Sequence, residues 1–289
     1  MPEIVNVLTV DVEEYFHGID FDTVLGAEGA ARLPSRVVAQ TERLLDQLDA
    51  RGARGTFFTL GLVAQRYPRL IRSIVARGHE LASHGWDHRC VYDLGAEGFR
   101  QDLRRAKRTL EAAAGRAVRG YRAPNYSIRR DTPWAFDVLA EEGFVYDSSV
   151  HPIVHDRYGF PHAPRFLHRV GGASGLWEVP VGTARAFGTN LPVGGGFFRL
   201  FPTALLSSAI ASVNRQDGQP LVLYIHPWEF DPDQPRTPMP LAHRFRHYVG
   251  LAGATRKLET LLRQFRFTSI EDALAPLRLS PAAAVARAS

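Results

Sequence analysis

Short apolar runs alternate with stretches of helical period along most of this chain, and that alternation limits the fold more than any single motif does. Val5–Val10 is a β-rich run ending in Asp11-Val12-Glu13-Glu14, and Arg36–Ala50 carries Val37, Val38, Leu44, Leu45 and Leu48 at helical spacing. Gly55–Leu60 reads as a buried strand, Pro68–Arg77 as a helix closed by Gly78, and Leu81–Ser83 as the next strand. Gly98–Ala114 reads as a helix with Gly115 as its C-cap, and Val118–Arg122 as a strand. Thr132–Glu142 reads as a helix with Asp131 as N-cap and Pro133 in the first turn, followed by a strand at Phe144–Tyr146. Such a pattern predicts a parallel α/β architecture, open or closed.

The rhythm breaks between about 150 and 200, where Gly, Pro and His are frequent. That section holds Leu176–Val181 and the Gly194-Gly195-Gly196 turn, and is expected to form loops and short antiparallel strands over one face. Alternation resumes with a helix at Thr203–Asn214, the apolar strand Leu221–Ile225, a long helix over His243–Phe265 and a last strand near Phe267–Ile270. Ser280–Ser289 is Ala-rich and expected to fray, so one domain over 1–279 is the expectation.

The 289 residues are enough for one α/β barrel, and 45% apolar with 22% charged residues is globular. The net charge of +5 comes mostly from arginines dispersed along helices, without a basic stripe interleaved with aromatics, so nucleic acid is not an expected partner. Cys90 is the only cysteine, so no intrachain disulfide forms; a thiolate near the histidines is a conceivable zinc ligand, but an incidental buried Cys is the preferred reading. The N-terminus lacks a basic n-region, and no apolar run approaches the roughly 18 residues of a span. The expectation is a cytoplasmic protein with no membrane span; its oligomeric state is not legible.

Polar residues follow directly on the apolar runs. Asp11 and Glu13 follow the first, His84 and His88 the third, Arg122 ends the fourth, Asp147 follows the fifth, and His226 follows Leu221–Ile225. In a closed parallel barrel these strand ends share one rim, where loops build active sites. His84 and His88 would share a face if they lay on one helical turn, so both imidazoles could reach one metal ion. Asp11 and Glu13 alternate, so a continuing strand sends both to the same side, where they repel unless a cation or proton separates them. One carboxylate with His84 and His88 makes a three-ligand site with open positions. Capping of a following helix is the competing role for the carboxylates. Arg122 can hold a carboxylate, and the Ala123-Pro124-Asn125-Tyr126 turn can aim backbone N–H groups at a substrate oxygen.

These residues resemble the NodB-type polysaccharide deacetylases, carbohydrate esterase family 4, over nearly the whole chain. Thr9-Val10-Asp11-Val12-Glu13 looks like the first motif of that family, Ser83-His84 to His88 the second, Arg122-Ala123-Pro124 the third and Ile225-His226 the last. Gly195-Gly196-Phe197-Phe198-Arg199, His226-Pro227-Trp228-Glu229-Phe230-Asp231 and Arg246-His247-Tyr248 are similar to deacetylases of exosortase-linked exopolysaccharide loci. The resemblance implies a distorted (β/α)7 barrel and removal of N-acetyl groups from amino sugars of an oligo- or polysaccharide. It also implies a divalent metal, zinc first, with Co2+, Mn2+, Fe2+ or Ni2+ as alternatives. In the usual first motif, Thr-Phe-Asp-Asp, the second Asp binds the metal; here position 12 is valine, and the ligand role passes to Glu13, with Glu14 as the alternative. By the same resemblance Asp11 is the base, Arg122 its support, His226 the acid, and Asn125 and Tyr126 the oxyanion turn. Asp147 is the candidate partner of His226, and Trp177 or Trp228 the aromatic wall.

Three rival readings remain at this point: a metal-free amidohydrolase of the allantoinase type, a catalytically silent glycan-binding protein, and a facial-triad iron oxygenase. The intact His pair with an acid opposes the first, and the presence of Asp11, Arg122 and His226 opposes the second. The lack of an HxD/E pair around His84 opposes the third.

Overall fold

A computed structural model describes residues 4–277, except 18–20, 22–23, 27–28, 30–31, 156–157, 172–174 and 187. The Ala-rich C-terminal stretch expected to fray lies outside the described residues. The strands are β1 (Asn6–Val12), β2 (Thr56–Thr59), β3 (Glu80–Ser83), β4 (Gly120–Tyr121), β5 (Tyr146–Asp147), β6 (His168–Val170), β7 (Leu176–Glu178), β8 (Thr183–Ala186), β9 (Thr189–Pro192), β10 (Val222–Ile225) and β11 (Phe267–Thr268). One sheet runs β10-β1-β2-β3-β4-β5-β7-β6, with β11 also on β1, and it curls into a half-barrel. Pairing is parallel from β10 to β7; β6 is antiparallel to β7, and β8–β9 is a separate antiparallel hairpin. The expected α/β barrel class is therefore borne out, and the section from 150 to 200 does carry short antiparallel strands.

The barrel does not close by a ladder between β7 and β10. Single backbone bonds do it: Gly182 N–H to Val222 O at 2.8 Å and Gly195 N–H to Tyr224 O at 2.9 Å. A Cβ on Gly182 would meet Val222 O at 2.4 Å, so only glycine lets the two backbones come this close.

Every residue of β1 is buried, as expected for a strand covered on both faces. Its period of two then separates the faces. Leu8, Val10 and Val12 point outward into the largest apolar cluster, with Leu44, Leu45 and Leu48 of α1 (Val37–Asp49). Asn6, Thr9, Asp11 and the residue after the strand, Glu13, are also buried, and Thr9 and Asp11 face inward to Arg122. The register links Val12 to Thr59, Thr59 to Ser83, Ser83 to Tyr121 and Tyr121 to Asp147. The strands thus end level, and the residues just beyond their ends meet on one rim.

The helices are α1, α2 (Gly61–Arg66), α3 (Pro68–Ala76), α4 (Val91–Ala114), α5 (Trp134–Glu141), α6 (Gly196–Leu200), α7 (Thr203–Ser212), α8 (Leu241–Tyr248), α9 (Leu251–Gln264) and α10 (Ile270–Leu274). Four expectations need correction. The α4 helix begins at Val91 and passes a kink at Gly95, φ 65°. Asp131 does not cap α5: it pairs with Arg129, while Thr132 Oγ1 accepts from Arg129 N–H at 2.8 Å. The long helix over His243–Phe265 is two, α8 and α9, broken at Val249 and Gly250 (φ 73°). The break has a purpose in packing: Arg199 donates to His247 O at 2.7 Å and Val249 O at 2.9 Å, carbonyls a continuous helix would have used itself. Ile270 opens α10 and does not extend β11.

Candidate active site

Asp11, Glu13, His84, His88 and His226 all line one cavity of about 590 Å³ at the rim where the strands end. Glu13 Oε2 lies 2.7 Å from His88 Nε2 and 3.8 Å from His84 Nε2. One ligand atom from each of the three falls within 4.8 Å of the others, spacing that suits a single metal ion. The histidines do not share a helix. They sit in a loop after β3 with Gly85 at φ 77° and His88 at φ 70°, and this turn, instead of the expected helical face, folds the second ring back toward the first.

The chemistry of the donors fits a divalent cation. His84 Nδ1–H donates to Arg122 O at 2.8 Å, which fixes the tautomer and leaves Nε2 facing Glu13. Burial pushes His84 down to about 4, against the pull of Asp11, so the ring is neutral and able to ligate. Burial alone would raise the Glu13 carboxyl; His88, then His226 and His84, outweigh it and hold Glu13 well below the carboxylate range. Glu13 Oε1 also accepts from Trp228 Nε1–H at 3.1 Å.

Glu14, the alternative ligand, is engaged elsewhere. It accepts from Ser35 Oγ–H and from Arg36 and Val37 N–H at 2.9 and 3.2 Å, so it caps α1. Capping was the competing role for Asp11 and Glu13, and the structure gives it to their neighbour. Val12 points away from the cavity into the apolar cluster, which is why position 12 has no place in a metal site here.

Arg122 is fully buried beneath Asp11. Its Nη1 donates to Asp11 Oδ1 and to Thr9 Oγ1, both at 2.8 Å, while Nε and Nη2 donate to Ser148 O at 3.0 Å and Ser148 Oγ at 2.8 Å. Its guanidinium also lies 4.2 Å from the centre of the Phe58 ring. Asp11 keeps Oδ2 for the cavity, 3.8 Å from His226 Nε2. After Pro124 the backbone turns through positive φ at Asn125 (53°) and Tyr126 (52°). Tyr126 N–H is spent on Ala123 O at 3.1 Å, so of the two expected oxyanion donors only Asn125 N–H stays a candidate.

His226 has a different partner from the one expected. Asp147 lies in the outward row with Val12 and Tyr121, bonded to Ser149 Oγ at 2.6 Å and set beside Glu178. The same period of two that sends Asp11 inward sends Asp147 away. Glu229 takes the place: its Oε2 is 3.4 Å from His226 Nδ1 and accepts His226 N–H at 2.9 Å, and its Oε1 accepts from Arg199 Nε at 2.8 Å. Burial would lower His226, but Glu229, Glu13 and Asp11 together raise it to about 9. Trp228 supplies the aromatic wall, stacked 5.1 Å from His226 and 4.6 Å from His247. Trp177 does not line the cavity; it sits on β7 under Arg169, 3.8 Å away.

Sequence reasoning missed Glu229, Arg199, His247 and His17, which also line the cavity. Glu229, Arg199 and His247 belong to the segments that carried the C-terminal similarity, but nothing in their spacing announces a contact. His17 stacks 5.5 Å from His88, and burial, then His88, pushes it down to about 3. Cys90 is buried, receives Asn125 Nδ2–H at 3.6 Å, and is not among the three clustered ligands.

Fold and site define a curled parallel α/β barrel with a two-histidine, one-carboxylate cluster at its rim. Residues 22–144 match the family described as polysaccharide deacetylase, and residues 148–275 match a domain of unknown function, DUF3473. The polysaccharide deacetylase match covers less than half of the chain, and it stands with the relatives as a likeness to that family. A chitooligosaccharide deacetylase of Sinorhizobium fredii is 35% identical over 40% of this chain and 52% of its own length. A peptidoglycan-N-acetylglucosamine deacetylase of Bacillus cereus is 27% identical over 46% of this chain and 52% of its own. The chain thus spans about half the length of these curated relatives. A solved structure from Mycobacterium smegmatis, described as a "putative polysaccharide deacetylase", superposes with a TM-score of 0.61 at 25% identity, covering 97% of this chain and 94% of that one. A CE4 family pseudoenzyme from Bacillus anthracis shares the fold at a TM-score of 0.52 and 15% identity, over 94% of this chain and 66% of that one. The fold alone therefore does not decide activity; the side chains of the site must.

Proposed function

We propose that this protein is a metal-dependent hydrolase that removes N-acetyl groups from amino sugars of an oligo- or polysaccharide. The observation that carries the reading is one cavity holding the Glu13-His84-His88 cluster with Asp11 and His226 beside it, 3.8 Å from each other. Glu13, His84 and His88 would hold a divalent cation, zinc in the first place, which supplies Lewis acidity to the attacking water and the acetamide carbonyl. Asp11, with Oδ1 fixed by Arg122, takes a proton from that water on Oδ2 as the carbonyl carbon is attacked. Asn125 N–H donates to the oxyanion. His226, cationic at neutral pH because of Glu229 and the cavity acids, gives its Nε2 proton to the departing amine. The C–N bond breaks, and acetate and the free amino sugar leave. Trp228 and Tyr126 line the cavity wall beside the sugar.

Polymers of the exopolysaccharide type fit the C-terminal similarity, and the nucleotide- or lipid-linked precursors of such polymers are further candidates. The test is acetate release from a panel of N-acetylated oligosaccharides, with metal content measured before and after chelation. Release that stops on chelation and returns with Zn2+ is the expected result. Full release from metal-free protein would overturn the reading in favour of a metal-free amidohydrolase, and sugar binding without release would favour a silent glycan-binding protein.

A further inference from the structure

The outer lip of the cavity carries apolar side chains that the core does not use. Leu241 is 81% exposed, Phe245 61% and Leu200 45%. Leu241 and Phe245 are four residues apart on α8 and share a face, and both Phe245 and Leu200 also line the cavity. Among the described residues neither Leu241 nor Phe245 joins an apolar cluster of the core. Exposure this high on a helix describes projecting side chains, a shape suited to insertion rather than to gripping a ligand.

The charge along the segment that carries α8 is one-sided in sequence. Gln234–Gly250 contains Arg236, Arg244 and Arg246 and no Asp or Glu, and all three arginines are exposed. A short helix with bulky apolar residues on one face and arginines beside them is the composition of an interfacial membrane helix. No helix of the described residues is long and apolar enough to cross a membrane, so the contact would be peripheral.

We propose that α8 docks this protein on an anionic lipid surface, with Leu241, Phe245 and Leu200 entering the headgroup boundary and Arg236, Arg244 and Arg246 meeting lipid phosphates. The cavity mouth then faces the membrane, and a sugar presented at the bilayer surface reaches Asp11 and His226 without leaving it. The binding does not depend on the reaction proposed above, and the two are read separately.

The test is co-sedimentation of the full chain with phosphatidylcholine vesicles, with and without about one quarter phosphatidylglycerol. The expected result is binding to the anionic vesicles that weakens in high salt, with little binding to phosphatidylcholine alone. Leu241→Glu with Phe245→Glu should lower the partition constant about tenfold or more. Arg236→Glu with Arg244→Glu should lower it similarly and flatten the salt dependence. Thermal melts of each variant establish that it folds. A folded wild type that ignores anionic vesicles, or folded variants that bind them as well as wild type, would overturn the proposal. Acetate release from a soluble oligosaccharide, measured on the same wild-type preparation, shows independently whether the reaction assignment stands.

Discussion

Replacing Glu229 by Gln should move the alkaline limb of the pH–rate profile to lower pH while leaving activity at the acid end. His226 Nδ1 lies 3.4 Å from Glu229 Oε2, and a unit charge pair at that distance is worth about 5 kcal/mol at an effective dielectric near 20. At about 1.4 kcal/mol per pH unit, this is a ceiling of roughly three to four units. Arg199, 2.8 Å from the other oxygen of Glu229, opposes part of it, so a fall of about one to two units from His226's raised value is expected. The direction comes from the role. A general acid must be protonated, so activity is lost as pH rises through its pKa, and a lowered pKa brings the loss to lower pH. The assay is kcat/KM for acetate release from about pH 6 to about pH 10. Gln keeps the shape of Glu but sets a donor against either Arg199 or His226, at a cost of about 1–3 kcal/mol, which a thermal melt will register. A variant that melts as a folded protein yet keeps the wild-type alkaline limb would refute the assignment of Glu229 as the support of the acid.

The same geometry sets two further outcomes. Asp11→Asn and His226→Ala should each lower turnover by about 10²–10⁴ while bound metal stays near the wild-type amount, checked by acetate release and metal analysis on the same samples. Loss of metal in either variant would mean that these side chains ligate. Val12→Asp, which restores the usual second acid of the first motif, should not add a ligand. It points a carboxylate into the apolar cluster around Leu44 and Leu45, costing roughly 3 kcal/mol or more, about 6–12 °C in Tm. A Val12→Asp protein that keeps its Tm and binds metal without Glu13 would show that the strand can present position 12 to the cavity.

The sequence by itself determined the architecture and most of the inward-facing chemistry. Alternating strand and helix periods are local properties, and level parallel strands put the residues just beyond their ends on one rim, so Asp11, Glu13, His84, His88 and His226 were legible as a set. Arg122 was legible for the same reason, though it lies beneath the cavity and not in its wall. Facing was less legible. Asp147 also ends a strand, and only the register across β1, β2, β3, β4 and β5 reveals that it shares the outward row with Val12. The choice between Glu13 and Glu14 needed the start of α1, because a carboxylate spent on three donors at a helix N-terminus is not available to a metal. Glu229 was hidden for a related reason. Its contact with His226 comes from a tight turn after β10, and its burial is tolerable only because Arg199 reaches it from α6. Periodicity tells which side chains leave a strand together; partners that arrive from distant segments, and the buried charges they balance, exist only once the chain has closed on itself.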